Sequence, residues 1–104
     1  MNIDITARGF SLSDSLKSFV NEKLLVLKKY DSNISSAKIV LIKEGRAEKI
    51  ELIVSSKKTN YIAKCYSSVF EKTMVNAINK VKSQIERKLN IWKYKWIIFK
   101  KYLS

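Results

Sequence analysis

The most restrictive feature of the sequence is a long apolar stripe with helical spacing in its second half. Apolar residues recur there every three or four positions over about five turns. The stripe consists of Phe70, Met74, Ala77, Ile78, Val81, Ile85 and Leu89. An amphipathic helix of this kind is stable in water only when its stripe packs against another apolar surface. The residues before it must therefore form the other layer of a core.

Four earlier segments have the alternating or β-branched character of strands. They are residues 2–7, 37–43, 48–55 and 61–66. Short polar links separate the last three segments, which predicts an antiparallel meander. The turn at Glu44-Gly45-Arg46 joins the first two strands of that meander.

A second helix is predicted between the first two strands. Ser13 is a suitable N-cap, and Asp14 favours the positive end of a helix that runs to about Tyr30. Its apolar stripe is Leu16, Phe19, Val20, Leu24 and Leu27. The order β-α-β-β-β-α predicts an α+β fold, with a four-stranded sheet and both helices packed on one face. The other face of the sheet is expected to stay largely open to solvent.

The charge balance indicates a polyanionic partner. The 104 residues include 21 Lys and Arg against 9 Asp and Glu, a formal net charge of +12. Such an excess favours nucleic acid first and an anionic membrane surface second. No apolar run is long enough to span a bilayer, and the opening residues do not resemble a signal peptide, so membrane attachment is the less favoured interpretation.

The residue types that most enzymes need are scarce. The chain has no histidine, which removes the usual general base and zinc ligand, and its two glycines cannot form a phosphate-binding loop. The single cysteine, Cys65, lies on the apolar side of a predicted strand and is expected to be a buried thiol. We therefore expect a cytoplasmic protein that is not an enzyme and has no cofactor, metal site or small-molecule substrate.

The last fourteen residues differ in character from the rest. We predict a folded domain over residues 1–90 and a basic, aromatic C-terminal extension over residues 91–104, which either prolongs the second helix or forms a flexible tail. Aromatic residues alternate there with lysines. That pattern is compatible with core or subunit packing, with stacking on RNA bases, or with a membrane interface.

Several stretches, in the same order and spacing, resemble the ribosome hibernation-promoting factors, also called ribosome-associated inhibitor or Y-like proteins. The resemblance covers about residues 1–90. It lies in residues 3–6, 12–20, 27–30 and 40–44, in Lys23, and in residues 77–81 with Gln84-Ile85. The sequence departs from the family pattern at Val69-Phe70-Glu71 and at Ser83.

The resemblance implies a fold similar to a double-stranded RNA-binding domain. It also implies binding to the small ribosomal subunit and its 16S-type rRNA, in the channel for messenger and transfer RNA. Such binding inhibits translation and stabilises idle ribosomes under stress or in stationary phase. Whether ribosomes are paired or silenced singly stays open.

The predicted RNA-binding residues have two origins. By matching positions, the resemblance implies RNA contacts at Lys23, Lys29, Lys80 and Arg87, with Tyr30 close by. Lys28, Lys82 and Lys88 are basic neighbours supported by charge alone. Two alternatives remain: a general double-stranded RNA-binding module, and a peripheral membrane or partner-binding protein acting through residues 91–104.

Overall fold

The computed structural model has the predicted order of elements. It describes the backbone of residues 1–57 and 59–103, and the side chains of residues 1–57 and 59–88. The elements are β1 (Asn2–Arg8), α1 (Asp14–Val26), a 3-10 turn (Leu27–Lys29), β2 (Ser36–Glu44), β3 (Ala47–Ser56), β4 (Thr59–Ser67) and α2 (Phe70–Leu103). The predicted β-α-β-β-β-α fold of the α+β class is confirmed.

The strands form one mixed sheet in the order β1-β2-β3-β4. β2, β3 and β4 pair antiparallel, which confirms the predicted meander. β1 instead pairs parallel to β2. Parallel neighbours need a crossover connection, and α1 supplies it. The local sequence did not predict the direction of β1, because the direction depends on the path of the crossover.

One face of the sheet carries the apolar core. Neighbouring strands place Ile39, Leu52 and Ala63 in one cross-strand row, and all three are buried. Cys65 is buried on the same face, as predicted. Alternate residues point the other way, and Ile53 on that face is exposed. Both helices therefore cover one face, because only that face is apolar along its whole width.

The predicted stripe of α2 is buried at every position whose side chain is described. Phe70, Met74, Ala77, Ile78, Val81 and Ile85 belong to the core, whereas the side chain of Leu89 lies outside the described residues. Burying six such side chains contributes on the order of 10 kcal/mol before the entropy of ordering the chain is subtracted.

The start of α1 is as predicted. The Ser13 side chain accepts a hydrogen bond from the Leu16 amide at 3.2 Å, which satisfies one unpaired donor of the first turn. The regular helix ends at Val26, and the 3-10 turn continues it to Tyr30. The predicted extent is therefore right, but its last turn is wound more tightly.

The backbone of α2 continues through residue 90 to Leu103. Of the two alternatives for the end of the chain, the structure has the prolonged helix. The side chains of the predicted extension lie outside the described residues, so its boundary and role stay predictions. No helix in the described part of the chain is long and apolar enough to cross a membrane.

Candidate nucleic-acid interface

The two helical segments carry all the predicted RNA-binding residues. α1 and its 3-10 turn carry Lys23, Lys28 and Lys29, and Tyr30 follows directly. α2 carries Lys80, Lys82, Arg87 and Lys88. Most of these side chains are exposed, and Lys23, Lys82 and Lys88 are half-buried. Because packed helices hold these side chains, the spacing between the cations is set by the core below.

A shallow groove between the helices brings part of the set together. Its lining residues are Lys23, Val26, Val75, Ile78, Asn79 and Lys82. The Lys82 ammonium lies 4.9 Å from the centroid of the Tyr30 ring, a cation–π contact between α2 and the end of the 3-10 turn. Lys23 lies 5.5 Å from the Phe19 ring centroid. Lys23, Tyr30 and Lys82 therefore share one surface.

Lys80 and Arg87 lie on the opposite flank of α2, beside β4. The Lys80 Nζ donates a hydrogen bond to the main-chain oxygen of Lys64 at 3.2 Å. The Arg87 Nε donates to the main-chain oxygen of Ser83 at 3.4 Å. Asn79, Lys80, Ser83, Gln84 and Arg87 line a shallow hollow on this flank. The predicted residues thus form two groups and not a single patch.

The division makes α2 a ridge with cations on both flanks. Asn79 lines the depressions on both sides, so it stands along the crest. Cations on two flanks of a helix can contact phosphates of two neighbouring backbone segments at once. Asn79 was not among the predicted site residues. Its place on the helical wheel between Lys80 and Lys82 was the signal that could have identified it.

Asp31 fixes the chain directly after Tyr30. Its carboxylate accepts hydrogen bonds from the Ser56 hydroxyl at 2.7 Å, the Tyr61 hydroxyl at 2.8 Å and the Asn33 amide at 2.9 Å. These contacts tie the end of the 3-10 turn to β3 and β4. They hold Tyr30 where Lys82 can reach it. No local pattern in the sequence indicated this cluster, because its members are far apart along the chain.

The cluster shifts the ionisation of both main partners. Burial acts to raise the pKa of Asp31, but the bonds from Ser56, Tyr61 and Asn33, with the nearby Lys88 charge, outweigh it and lower that pKa. Burial, and then the bond to Asp31, raise the pKa of Tyr61 to about 12. The positive charge of Lys88 acts on Asp31 through space, without a salt bridge between the two side chains.

Acids and bases are distributed differently on the two sides of the molecule. On the open face of the sheet, Asp4 faces Lys38 across β1 and β2, and Glu51 faces Lys64 across β3 and β4. Lys49 and Glu44 form a salt bridge of 2.8 Å. Among the side chains that the structure describes, no lysine or arginine of the helices forms a salt bridge. The helical side therefore presents unmatched positive charge.

The sequence is similar to that of known proteins over most of its length. The sequence model described as sigma 54 modulation protein / S30EA ribosomal protein matches residues 3–96. The ribosome-associated factor Y of Haemophilus influenzae is 26% identical over 95 residues, which are 91% of this chain and 85% of that protein.

Two solved structures have the same fold. A ribosomal subunit interface protein from Coxiella burnetii superposes with a TM-score of 0.80 at 20% identity, covering 86% of this chain and 99% of that one. The N-terminal domain of Protein Y from Thermus thermophilus gives a TM-score of 0.77 at 22% identity, covering 84% and 98%.

Proposed function

Because the chain belongs to the sigma 54 modulation protein / S30EA ribosomal protein family, in agreement with the resemblance found in its sequence, we propose that it is a ribosome hibernation factor. It binds the small ribosomal subunit in the channel for messenger and transfer RNA. It thereby inhibits translation and stabilises idle ribosomes under stress or in stationary phase. The names of two relatives, ribosome-associated factor Y and ribosomal subunit interface protein, support a ribosomal partner.

The observation that carries the proposal is the unmatched charge of the helices. When a lysine or arginine already forms a salt bridge within the protein, that salt bridge must be broken before the side chain can bind a phosphate. Lys80 and Lys82 form none among the described residues, so each can bind phosphate without that loss. Each phosphate contact releases a condensed counterion, which makes affinity depend steeply on salt.

Recognition rests on the shape of the rRNA. The two groups of cations are held on opposite flanks of α2, and Tyr30 stands between the helices on one flank. A rigid ridge of this kind selects RNA whose phosphates are spaced to match it, with no need to read base edges. The proposed partner is therefore 16S-type rRNA within the folded subunit.

Inhibition by occupation requires no chemical step. A protein seated in the messenger channel excludes other ligands by volume and charge, so the proposal assigns no catalytic residue, cofactor or small-molecule substrate. It also implies residence in the cytoplasm, where ribosomes are.

The proposal is tested by binding the purified protein to purified small subunits and single ribosomes, with sucrose-gradient sedimentation as the readout. We expect co-sedimentation that weakens steeply with salt. Lys82→Gln and Lys80→Gln should each reduce the slope of log affinity against log salt by about 1. Lys38→Gln is the matched control: it removes one lysine from the open face of the sheet and should leave the slope unchanged.

Competition separates the proposal from a general double-stranded RNA-binding module. Excess duplex RNA should fail to displace the protein from subunits, whereas it would displace a general double-stranded RNA-binding module. Adding the protein to a translation reaction should lower its yield, and Lys80→Gln with Lys82→Gln should weaken that effect. The proposal is wrong if the protein does not sediment with ribosomes at low salt, or if Lys38→Gln is as damaging as Lys82→Gln.

A further inference from the structure

The two edge strands of the sheet, β1 and β4, differ in whether their outward main-chain groups are hydrogen-bonded. At the β4 edge, the side-chain amide of Gln84 accepts a hydrogen bond from the Ile62 amide at 3.1 Å and donates one to the Ile62 oxygen at 2.7 Å. Lys80 donates to the oxygen of Lys64 on the same edge. Side chains of α2 thus take the place of a further strand, which closes this edge to other chains.

The β1 edge is open. The Asn2 amide donates a hydrogen bond to the main-chain oxygen of Ser35 at 3.0 Å, so the main-chain groups of Asn2 point toward β2. By alternation, the main-chain groups that also point toward β2 are those of Asp4, Thr6 and Arg8. Alternation along the strand then directs those of Ile3, Ile5 and Ala7 outward. Within the described residues nothing pairs with them. β1 also has no proline or lysine, the residues that commonly protect an exposed edge.

The apolar side chains of β1 on the core side of the sheet are only half-buried. The half-buried apolar residues that pack against the core all lie in or near β1 and α1. They are Met1, Ile3, Ile5, Phe10, Leu16 and Phe19. Under β3 and β4 the corresponding residues are fully buried. Unpaired main-chain groups beside half-buried apolar side chains are what a partner strand would cover.

We propose that β1 is a dimerisation edge, to which β1 of a second copy of this chain adds in antiparallel orientation. Charge complementarity selects the register. When Thr6 faces Thr6 of the second copy, Asp4 faces Arg8 twice, once on each side of the symmetry axis. The outward main-chain groups of Ile5 and Ala7 then bond to each other. A register that sets Asp4 opposite Asp4 is repelled.

The symmetry of this contact determines how the two copies are displayed. A two-fold axis perpendicular to the sheet joins the two four-stranded sheets into one and leaves both pairs of helices on the same face. The dimer therefore carries two basic helical faces side by side. The net charge of +12 on each copy opposes association, so dimerisation should strengthen as salt screens that repulsion.

The first test measures self-association of the whole protein by sedimentation equilibrium from about 10 μM to about 1 mM, at ~0.15 M and ~0.5 M salt. We expect a monomer–dimer equilibrium. Amide exchange followed by NMR should slow at Ile5 and Ala7 as concentration rises. Asp4 and Thr6 should not change, because β2 already protects them. A monomer under all these conditions, with no change at Ile5 and Ala7, overturns the proposal.

A charge exchange tests the register. Asp4→Arg and Arg8→Asp each set like charges opposite each other twice, and each variant alone should associate at least about tenfold more weakly than the natural protein. An equimolar mixture of the two variants should recover association, because opposite charges face each other again. Glu86→Arg and Arg46→Asp change the net charge equally at exposed sites outside β1 and are the matched controls.

The outcomes distinguish specific pairing through β1 from a general effect of net charge on self-association. Recovery in the mixture, with little change in the controls, supports the proposed register. If the mixture stays as weak as either variant, or if the controls weaken association equally, the register is wrong. Ala7→Pro removes an outward amide without touching the β1–β2 ladder, and retention of full dimerisation by this folded variant excludes β1 pairing.

Discussion

Replacing Asp31 with alanine should destabilise the domain by about 2 kcal/mol. The carboxylate accepts three hydrogen bonds of 2.7–2.9 Å. A bond to a charged group contributes roughly 1.5–3 kcal/mol when it is shielded, and less where water can replace the lost partner. Asn33 is exposed, so water can replace the carboxylate as the acceptor for its main-chain amide. The main loss comes from Tyr61, whose ring is only 4% exposed and whose hydroxyl loses its carboxylate acceptor.

Urea denaturation monitored by circular dichroism measures this loss. With a slope of about 1.5 kcal/mol per molar urea, a loss of about 2 kcal/mol lowers the midpoint by about 1.3 M. Glu22→Ala removes one exposed negative charge from α1 and should leave the midpoint nearly unchanged. Binding to ribosomes should also weaken, because Tyr30 and Lys82 lose their fixed separation.

A double-mutant cycle with Tyr61→Phe isolates the contact. Once Asp31 is alanine, Tyr61→Phe removes a hydroxyl that has already lost its carboxylate acceptor, and should cost little or even restore stability. We expect a coupling of about 1 kcal/mol between the two positions. Strictly additive effects of the two substitutions would refute the reasoning, since the hydrogen bond would then contribute nothing measurable.

The ionisation of Asp31 also makes the stability difference between the natural protein and Asp31→Ala depend on pH. Because the folded-state pKa of Asp31 lies below its ordinary value of 3.8, the carboxylate stabilises the fold above that value. This contribution is lost as pH falls through the folded-state pKa. The gap in stability between the natural protein and Asp31→Ala should therefore be constant near neutral pH and narrow below about pH 4.

Two further substitutions test the sheet. Gln84→Ala removes both side-chain bonds to Ile62 and reopens the β4 edge, so thermal unfolding should show a loss of about 1–2 kcal/mol, with faster aggregation on heating. An unchanged stability of Gln84→Ala would mean that water replaces the Gln84 side-chain amide at the main-chain groups of Ile62. Gly9→Ala should lower the free energy of unfolding strongly, because Gly9 has a φ of +82° and an added Cβ would lie 2.5 Å from the main-chain oxygen of Lys43. Gly45→Ala is its control: φ is +56° with open space around it, so it should cost only about 1 kcal/mol. Equal losses at the two glycines would show that the contact with Lys43 adds nothing.

Local pattern was enough to predict the elements and their buried faces. The period of two along β3 placed Ile50, Leu52 and Val54 on one side, and the helical period of α2 identified its buried stripe. The cap at Ser13 was predictable for the same reason, because a cap and its bond partner are three residues apart. Each of these features depends on residues that are neighbours in sequence.

The predicted site was only partly determined by such patterns. Charge and family resemblance selected the basic residues, and the helical assignment placed them on two helices. The helical period of α2 already separates Lys80 from Lys82 around the helix. The sequence did not predict that Lys80 bonds to β4, or that the charge of Lys88 acts on Asp31. The individual RNA contacts and the boundary at residue 90 stay predictions.

The sequence by itself determined which side chains are apolar, how they repeat, and how much positive charge must be displayed. Only the tertiary structure decided that β1 runs parallel to β2, that α2 covers the β4 edge while β1 stays open, and that Asp31 meets Tyr61. The physical reason is distance along the chain. Repeats fix the conformation of nearby residues, whereas contacts between distant segments depend on how the helices cross the sheet, which is settled when the whole core packs at once.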